Sequence, residues 1–141
     1  MEINYMYMGF NKVWWYRMKT YKKQNELENI IVGDLISLNP ITNKVTRSMD
    51  KSFKDVDRLI VGVCIGVDGN NIHILSKGMC DINVDGLVCI GDKLTSCAKS
   101  GKARAIRYDK MDETIFNISS IGKVIGLYND YSVAKVLLDI E

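Results

Sequence analysis

Residues 81–106 read DINVDGLVCIGDKLTSCAKSGKARAI, and the reading of the whole chain turns on them. Ile82, Val84, Leu87, Cys89, Leu94, Ala103 and Ala105 are spaced as the short apolar faces of strands. Asp85-Gly86, Gly91-Asp92 and Ser100-Gly101 interrupt them. Glycine takes φ > 0 without a Cβ clash, and Asp can fold its carboxylate onto the turned backbone, so each pair marks a tight turn. The stretch predicts short strands joined by tight turns. It presents no catalytic group in a recognisable arrangement.

The same punctuation continues outward on both sides. Upstream, Leu59 to Val67 (LIVGVCIGV) is the most apolar run, and its β-branched residues favour a buried strand over a helix. Asp68-Gly69-Asn70-Asn71 turns it into Ile72-His73-Ile74-Leu75-Ser76, the clearest hairpin in the chain. Further back, residues 25–31 read as a turn or brief helix. Val32 to Leu38 forms a strand, Asn39-Pro40 turns it, and Lys44 to Arg47 returns. Residues 48–58 (SMDKSFKDVDR) are expected to form a polar surface loop. Downstream, residues 107–120 form a second charged loop anchored by Ile115 and Phe116. Ile121 to Tyr128 and Val133 to Leu138 are the last strands, turned by Asn129-Asp130. The fold class is all-β, a small sandwich or barrel-like domain.

A chain of 141 residues fits one domain with an arm, and 47% apolar against 26% charged residues supports a core. Eleven glycines against one proline suit tight turns better than a linker. The charge of +2 is too small to indicate nucleic acid, but it is unevenly placed. Residues 1–25 hold Lys12, Arg17, Lys19, Lys22 and Lys23 against Glu2, a surplus of four, which leaves the remainder at −2. The chain therefore divides into an arm or assembly segment, residues 1–31, and a β-rich body, residues 32–141.

The arm concentrates both tryptophans, four of seven tyrosines and four of seven methionines. Ile3, Tyr5 and Tyr7 alternate with Asn4 and Met6, and Trp14, Tyr16 and Met18 alternate with Trp15, Arg17 and Lys19. Gly9-Phe10-Asn11-Lys12 supplies a turn between them, which predicts an aromatic, basic β-hairpin. Adjacent residues of a strand face opposite ways, so one sheet face cannot bury both Trp14 and Trp15. Aromatic residues with arginine are what interface cores favour. Tyr5, Tyr7, Phe10, Trp14, Trp15, Tyr16, Arg17, Met18, Lys19 and Tyr21 are accordingly the expected interface residues. Stacking of the rings on nucleic-acid bases is the weaker alternative, since the basic run is short and no known module surrounds it.

No catalytic and no metal-ligating set is expected. Cys64, Cys80, Cys89 and Cys97 lack a C-x-x-C spacing, and His73 is the only histidine. Without an export signal the cysteines are expected reduced, three as small hydrophobes on strands and Cys97 in a polar turn. His73 projects away from Ile72 and Ile74, toward a surface or an interface. Ser96, Ser100 and Asp92 fall in turns, yet nothing resembles a nucleophile elbow. No stretch approaches the roughly twenty apolar residues of a membrane helix, and synthesis in the cytoplasm follows as the default.

The series Gly33-Asp34-Leu35-Ile36-Ser37-Leu38, Leu59-Ile60-Val61-Gly62-Val63, Val84-Asp85-Gly86, Ile90 to Ser96, Gly101 to Ala105, Ile121 to Gly126 and Ala134 to Leu138 resembles a known pattern. It is similar to the small β-rich domains of bacteriophage head fibres and decoration proteins, and to the C-terminal chaperone-like regions of tail spikes and appendages. The resemblance covers residues 32–138 and leaves the arm outside it. It implies a structural, non-enzymatic component of a phage or prophage virion, made in the host bacterial cytoplasm. The implied partners are a major capsid or tail protein and copies of the chain itself, as in a homotrimer, with no cofactor. Some such domains cleave themselves from a preceding fibre. Only about thirty residues precede this domain, short for a stalk, which favours a decoration or head-fibre role docked through the arm. A tail or baseplate component, a carbohydrate- or surface-binding module and a small hydrolase are the alternatives.

Overall fold

Short apolar runs broken every few residues by glycine or Asx pairs are too short for helices and satisfy their backbone by pairing sideways. A computed structural model describes residues 2–7, 13–51, 57, 59–107 and 119–140, with the backbone alone for 2–7 and 13–15. The described residues contain no helix and are about 56% strand, which makes the chain all-β and barrel-like. Ten strands run in order: β1 (Glu2–Tyr7), β2 (Val13–Lys22), β3 (Leu35–Asn39), β4 (Lys44–Arg47) and β5 (Ile60–Asp68). β6 (Asn71–Asn83), β7 (Lys93–Ser96), β8 (Ala103–Ala105), β9 (Gly122–Leu127) and β10 (Val133–Asp139) complete them.

They form one antiparallel sheet with the path β4-β3-β5-β6-β10-β9-β7-β8, to which β2 is joined through β6 and β1 through β2. The sheet curls into a half-barrel. Part of that curl is visible where Lys23, just past β2, bridges Val45 on β4 and the Gln24 amide donates to the Val45 carbonyl at 2.7 Å. Strand β6 holds the halves together. It pairs with β5 over Asn71–Asp68 to Leu75–Val63, with β10 over Lys77–Asp139 to Asn83–Val133, and with β2 from Asn71 to Lys77.

The expected strand at Ile72–Ser76 is therefore longer than its pattern suggests. At Ser76 the register against β2 shifts, and the strand bends there and runs on to Asn83. Such a bulge redirects a strand without ending it. Gly78, at φ 126°, completes the bend, and a Cβ there would meet the Tyr16 Cβ at 2.9 Å.

Two apolar clusters lie on opposite faces of β3, β5 and β6. Leu35, Val63 and Leu75 enter a larger one with Ile82, Leu94, Val124, Val136 and Leu138. Their chain neighbours Ile36, Cys64 and Ile74 enter a second with Tyr21, Ile30, Val45 and Ile72. A strand buried on both faces has no polar side to alternate with, which is why LIVGVCIGV is continuously apolar. Gly62 sits where β5 crowds β6: a Cβ there would lie 2.2 Å from the Leu75 carbonyl oxygen.

Residues 25–31 form a turn, with the Glu28 amide donating to the Asn25 carbonyl at 3.1 Å. In residues 48–58, the segment expected as a surface loop, Met49 and Lys51 are exposed, but two of the described residues depart from that expectation. Ser48 and Asp50 are buried, because their backbones are tied inward: Ser48 N–H donates to the Leu35 carbonyl and Asp50 N–H to that of Cys97, both at 2.8 Å. The expected anchor Ile115-Phe116 and the hairpin turn 9–12 lie outside the described residues.

Candidate functional site

The buried residues Ser48 and Asp50, just past β4, belong to a polar cluster that composition alone does not reveal. Ser96, at the end of β7 and fully buried, donates its hydroxyl to Asp50 Oδ1. Asp50 Oδ1 also accepts the Asp57 amide at 2.8 Å. The Asp57 carboxylate in turn accepts the Ser37 hydroxyl at 3.0 Å, the Ser48 hydroxyl at 2.9 Å and the Leu59 amide at 2.9 Å. Three hydroxyls and two amides thus converge on two carboxylates. Buried polar groups persist when each finds a partner, and here each hydroxyl is a donor to an acid. The cluster pins the loop to β3 and β7.

The other residues singled out for chemistry lie elsewhere. His73 Nδ1 bonds the Thr20 hydroxyl across β6 and β2 at 2.8 Å, in an exposed position. Asp92 clamps its own turn, accepting the Cys89 amide at 2.8 Å and pairing with Arg107 at 3.6 Å. Ser96, His73 and Asp92 are thus engaged by three separate sets of partners and do not converge. A second buried acid, Asp34, accepts the Ile31 amide at 3.0 Å and the Asn83 side chain at 3.2 Å. Burial pushes its carboxyl up, against the lowering effect of those bonds.

The hairpin predicted for the arm is present in the backbone: β1 pairs antiparallel with β2, from Glu2–Met18 to Tyr7–Val13. Its register sets Tyr5 opposite Trp15 and Met6 opposite Trp14. Positions 3, 5 and 7 therefore share a face with 13, 15 and 17, and positions 2, 4 and 6 share the other with 14, 16 and 18. Only Arg17 to Lys22 pair with β6; Val13 to Tyr16 hydrogen-bond to β1 and to no other described strand. The root of the hairpin is part of the body. Tyr16 and Met18 pack half-buried on the larger cluster, and Tyr21, 9% exposed, belongs to the second. Arg17 is half-buried, while exposed Lys19 holds its ammonium 4.9 Å from the centre of the Tyr21 ring. Phe10 lies outside the described residues.

No family model, no curated protein and no solved structure matches the chain.

Residues missed in the sequence stand on the turn between β9 and β10. Leu127, Tyr128 and Tyr131 are exposed there, and the Tyr128 hydroxyl donates to Asp81 Oδ1 at 2.6 Å. That bond, and then desolvation and the Asp81 charge, raise the Tyr128 hydroxyl; the Ser132 hydroxyl and amide hold Asp130 low. Two tyrosines flanking Asn129-Asp130 were the available signal, read only as a strand end and a turn.

The four cysteines are free. Cys64 is buried on β5, and Cys80 is partly buried on β6. Cys97 departs from the expected polar turn: it is buried, its thiol near the Lys99 and Lys102 carbonyls at 3.5 and 3.4 Å. Cys89 departs from the expected strand and is exposed. Burial raises Cys64 and Cys97, and burial with the Asp81 charge pushes Cys80 up to about 12. Among the described residues no group of three His, Cys, Asp or Glu is placed to hold a metal ion, and no helix is long and apolar enough to cross a membrane.

Proposed function

We propose that the chain is a structural subunit of a bacteriophage or prophage particle, of the capsid-decoration or head-fibre kind, docked through its β1–β2 hairpin. One observation carries the docking: the hairpin is rooted in the body by Arg17 to Lys22, while β1 pairs with β2 alone and Val13–Tyr16 with β1 alone among the described strands. That outer part brings Tyr5, Tyr7, Trp14 and Trp15 together on a ribbon two strands wide. A two-stranded ribbon is marginal in water by itself and gains stability when another surface covers it. The particle assignment comes from the strand-and-turn pattern of residues 32–138, and the body supplies a rigid support.

The test uses the full-length chain with Trp14→Ser and Trp15→Ser together. Circular dichroism is expected to keep its β signature, since residues 17–22 still pair with β6. Occupancy on purified particles is expected to fall at least about tenfold, the scale of losing one interface anchor. Occupancy equal to that of the unmodified chain overturns the proposal.

A further inference from the structure

The sheet ends in three outer strands, β4, β8 and β1. Two of them are covered. Lys23 bridges Val45 on β4, and Val84 bridges Ala103 on β8, where the Asp85 amide donates to the Ala103 carbonyl at 2.8 Å. Strand β1 pairs with β2 alone among the described strands. Its pairs run without a shift of register, and EINYMY holds no proline, glycine or lysine and a single charge, Glu2, at its start. Bulges, prolines and lysines are what keep an edge strand from pairing further, and β1 has none of them. The direction of its backbone groups follows from the alternation of antiparallel pairs. The Lys23 amide donates to the Asn70 carbonyl at 2.9 Å in continuation of the β2–β6 register, so Tyr21, Lys19 and Arg17 turn their N–H and C=O toward β6. The residue added at the bulge lies on β6, which leaves the alternation of β2 unbroken. Met18, Tyr16 and Trp14 therefore face β1, where they meet Glu2, Asn4 and Met6. The N–H and C=O groups of Ile3, Tyr5 and Tyr7 point outward.

We infer that the outer edge of β1 pairs antiparallel with the β1 edge of a second copy of this chain, across a two-fold axis at Tyr5. The outward groups select this occupant, because the edge is complementary to itself. One register sets Ile3 of each copy opposite Tyr7 of the other and Tyr5 opposite Tyr5, and it engages every outward N–H and C=O of both strands. Glu2 of each copy falls beyond the paired stretch, so no like charges stand opposite one another. A ribbon two strands wide is marginal in water, and the pairing joins two of them into one sheet with the order β2-β1-β1-β2. The contact is isologous and closes at two copies. It uses the edge of the ribbon and leaves its faces free, so it goes beyond the particle assignment and does not rest on it.

The test is sedimentation of the full-length chain across a concentration series, with circular dichroism to verify that each variant keeps its β signature. The unmodified chain forms a dimer. The axis sets position 5 opposite itself, so Tyr5→Lys and Tyr5→Glu each place like charges together and weaken association about tenfold, and mixing the two variants restores it. Tyr5→Pro removes an outward N–H and no bond to β2, and it weakens association as well. A monomeric unmodified chain overturns the inference. So does a Lys and Glu mixture that associates no better than its components, or a Tyr5→Pro chain that associates like the unmodified one. Saturation at three or more chains also overturns it, since one edge per copy is closed by one partner.

Discussion

Replacing Asp50 with Ala removes the acceptor at the centre of the buried serine–aspartate cluster. Asp50 Oδ1 takes two donors, the Ser96 hydroxyl and the Asp57 amide, and Ser96 and Asp50 are both buried. An unsatisfied buried donor costs about 1–3 kcal/mol. Ser96 is fully buried and pays near the top of that range, while Asp57 is half-buried and water relieves part of its loss. The expected destabilisation is about 3 kcal/mol, a large share of the 5–15 kcal/mol typical of a domain. With a urea slope near 2 kcal/mol/M the midpoint should fall by about 1.5 M. Ser96→Ala removes donor and bond together and should cost about 2 kcal/mol. In the double variant the orphaned hydroxyl is gone, so the two losses should fall short of additivity by about 1–2 kcal/mol. Urea unfolding followed by far-ultraviolet circular dichroism measures all three. An Asp50→Ala variant within about 0.5 kcal/mol of the unmodified chain, or strict additivity, would refute the cluster as a coupled internal tie.

The remaining predictions concern the titrating groups. Asp34 binds its proton more tightly in the folded state than its ordinary value of 3.8 allows, so its contribution to stability is fullest below that value and declines as pH rises through the raised folded value. Asp34→Asn removes that titration, and the stability of the variant relative to the unmodified chain should rise across the same window; a parallel pair of stability–pH curves would refute this. Among the cysteines, exposed Cys89 should be alkylated first at pH 8, while Cys80, pushed up to about 12, and buried Cys64 and Cys97 should lag by at least about tenfold. Peptide mass mapping over time checks the order, and Cys80 labelled as fast as Cys89 would contradict it.

The architecture was legible where local chemistry and burial agree. Gly86, Gly91 and Gly101 lie at positive φ where the three turn pairs were read, and Ile82, Leu94 and Ala105 beside them are buried. Leu87 and Cys89 were misread, because a two-residue alternation between close turns is too short to be a strand. The length of β6 was hidden by Ser76 and Gly78, whose bulge looks like a stop in one dimension and acts as a bend in three. The candidate sites were less legible. Ser96 was singled out, but its partner Asp50 is 46 residues away inside a segment with the composition of solvent-exposed loop. Long-range pairing of that kind leaves no periodicity in the sequence. The hairpin of residues 2–22 was visible from its alternation, whereas the depth to which Tyr21 enters the body depended on β6 and β4 closing around it.

The middle position of β3, β5 and β6 bears on how the molecule comes apart. Leu35 and Ile36, Val63 and Cys64, and Ile74 and Leu75 are bonded neighbours that serve opposite interiors. Opening either interior frees one side of these strands and strips packing from the other through the same peptide units. Partial unfolding that spares one half is thereby penalised. Amide exchange should report this as slow protons of β3, β5 and β6 sharing a single opening energy equal to that of global unfolding, with the outer ribbon β1 exchanging independently. Adjacent substitutions such as Leu35→Ala and Ile36→Ala would then lower that common value together, although their side chains never touch the same apolar cluster.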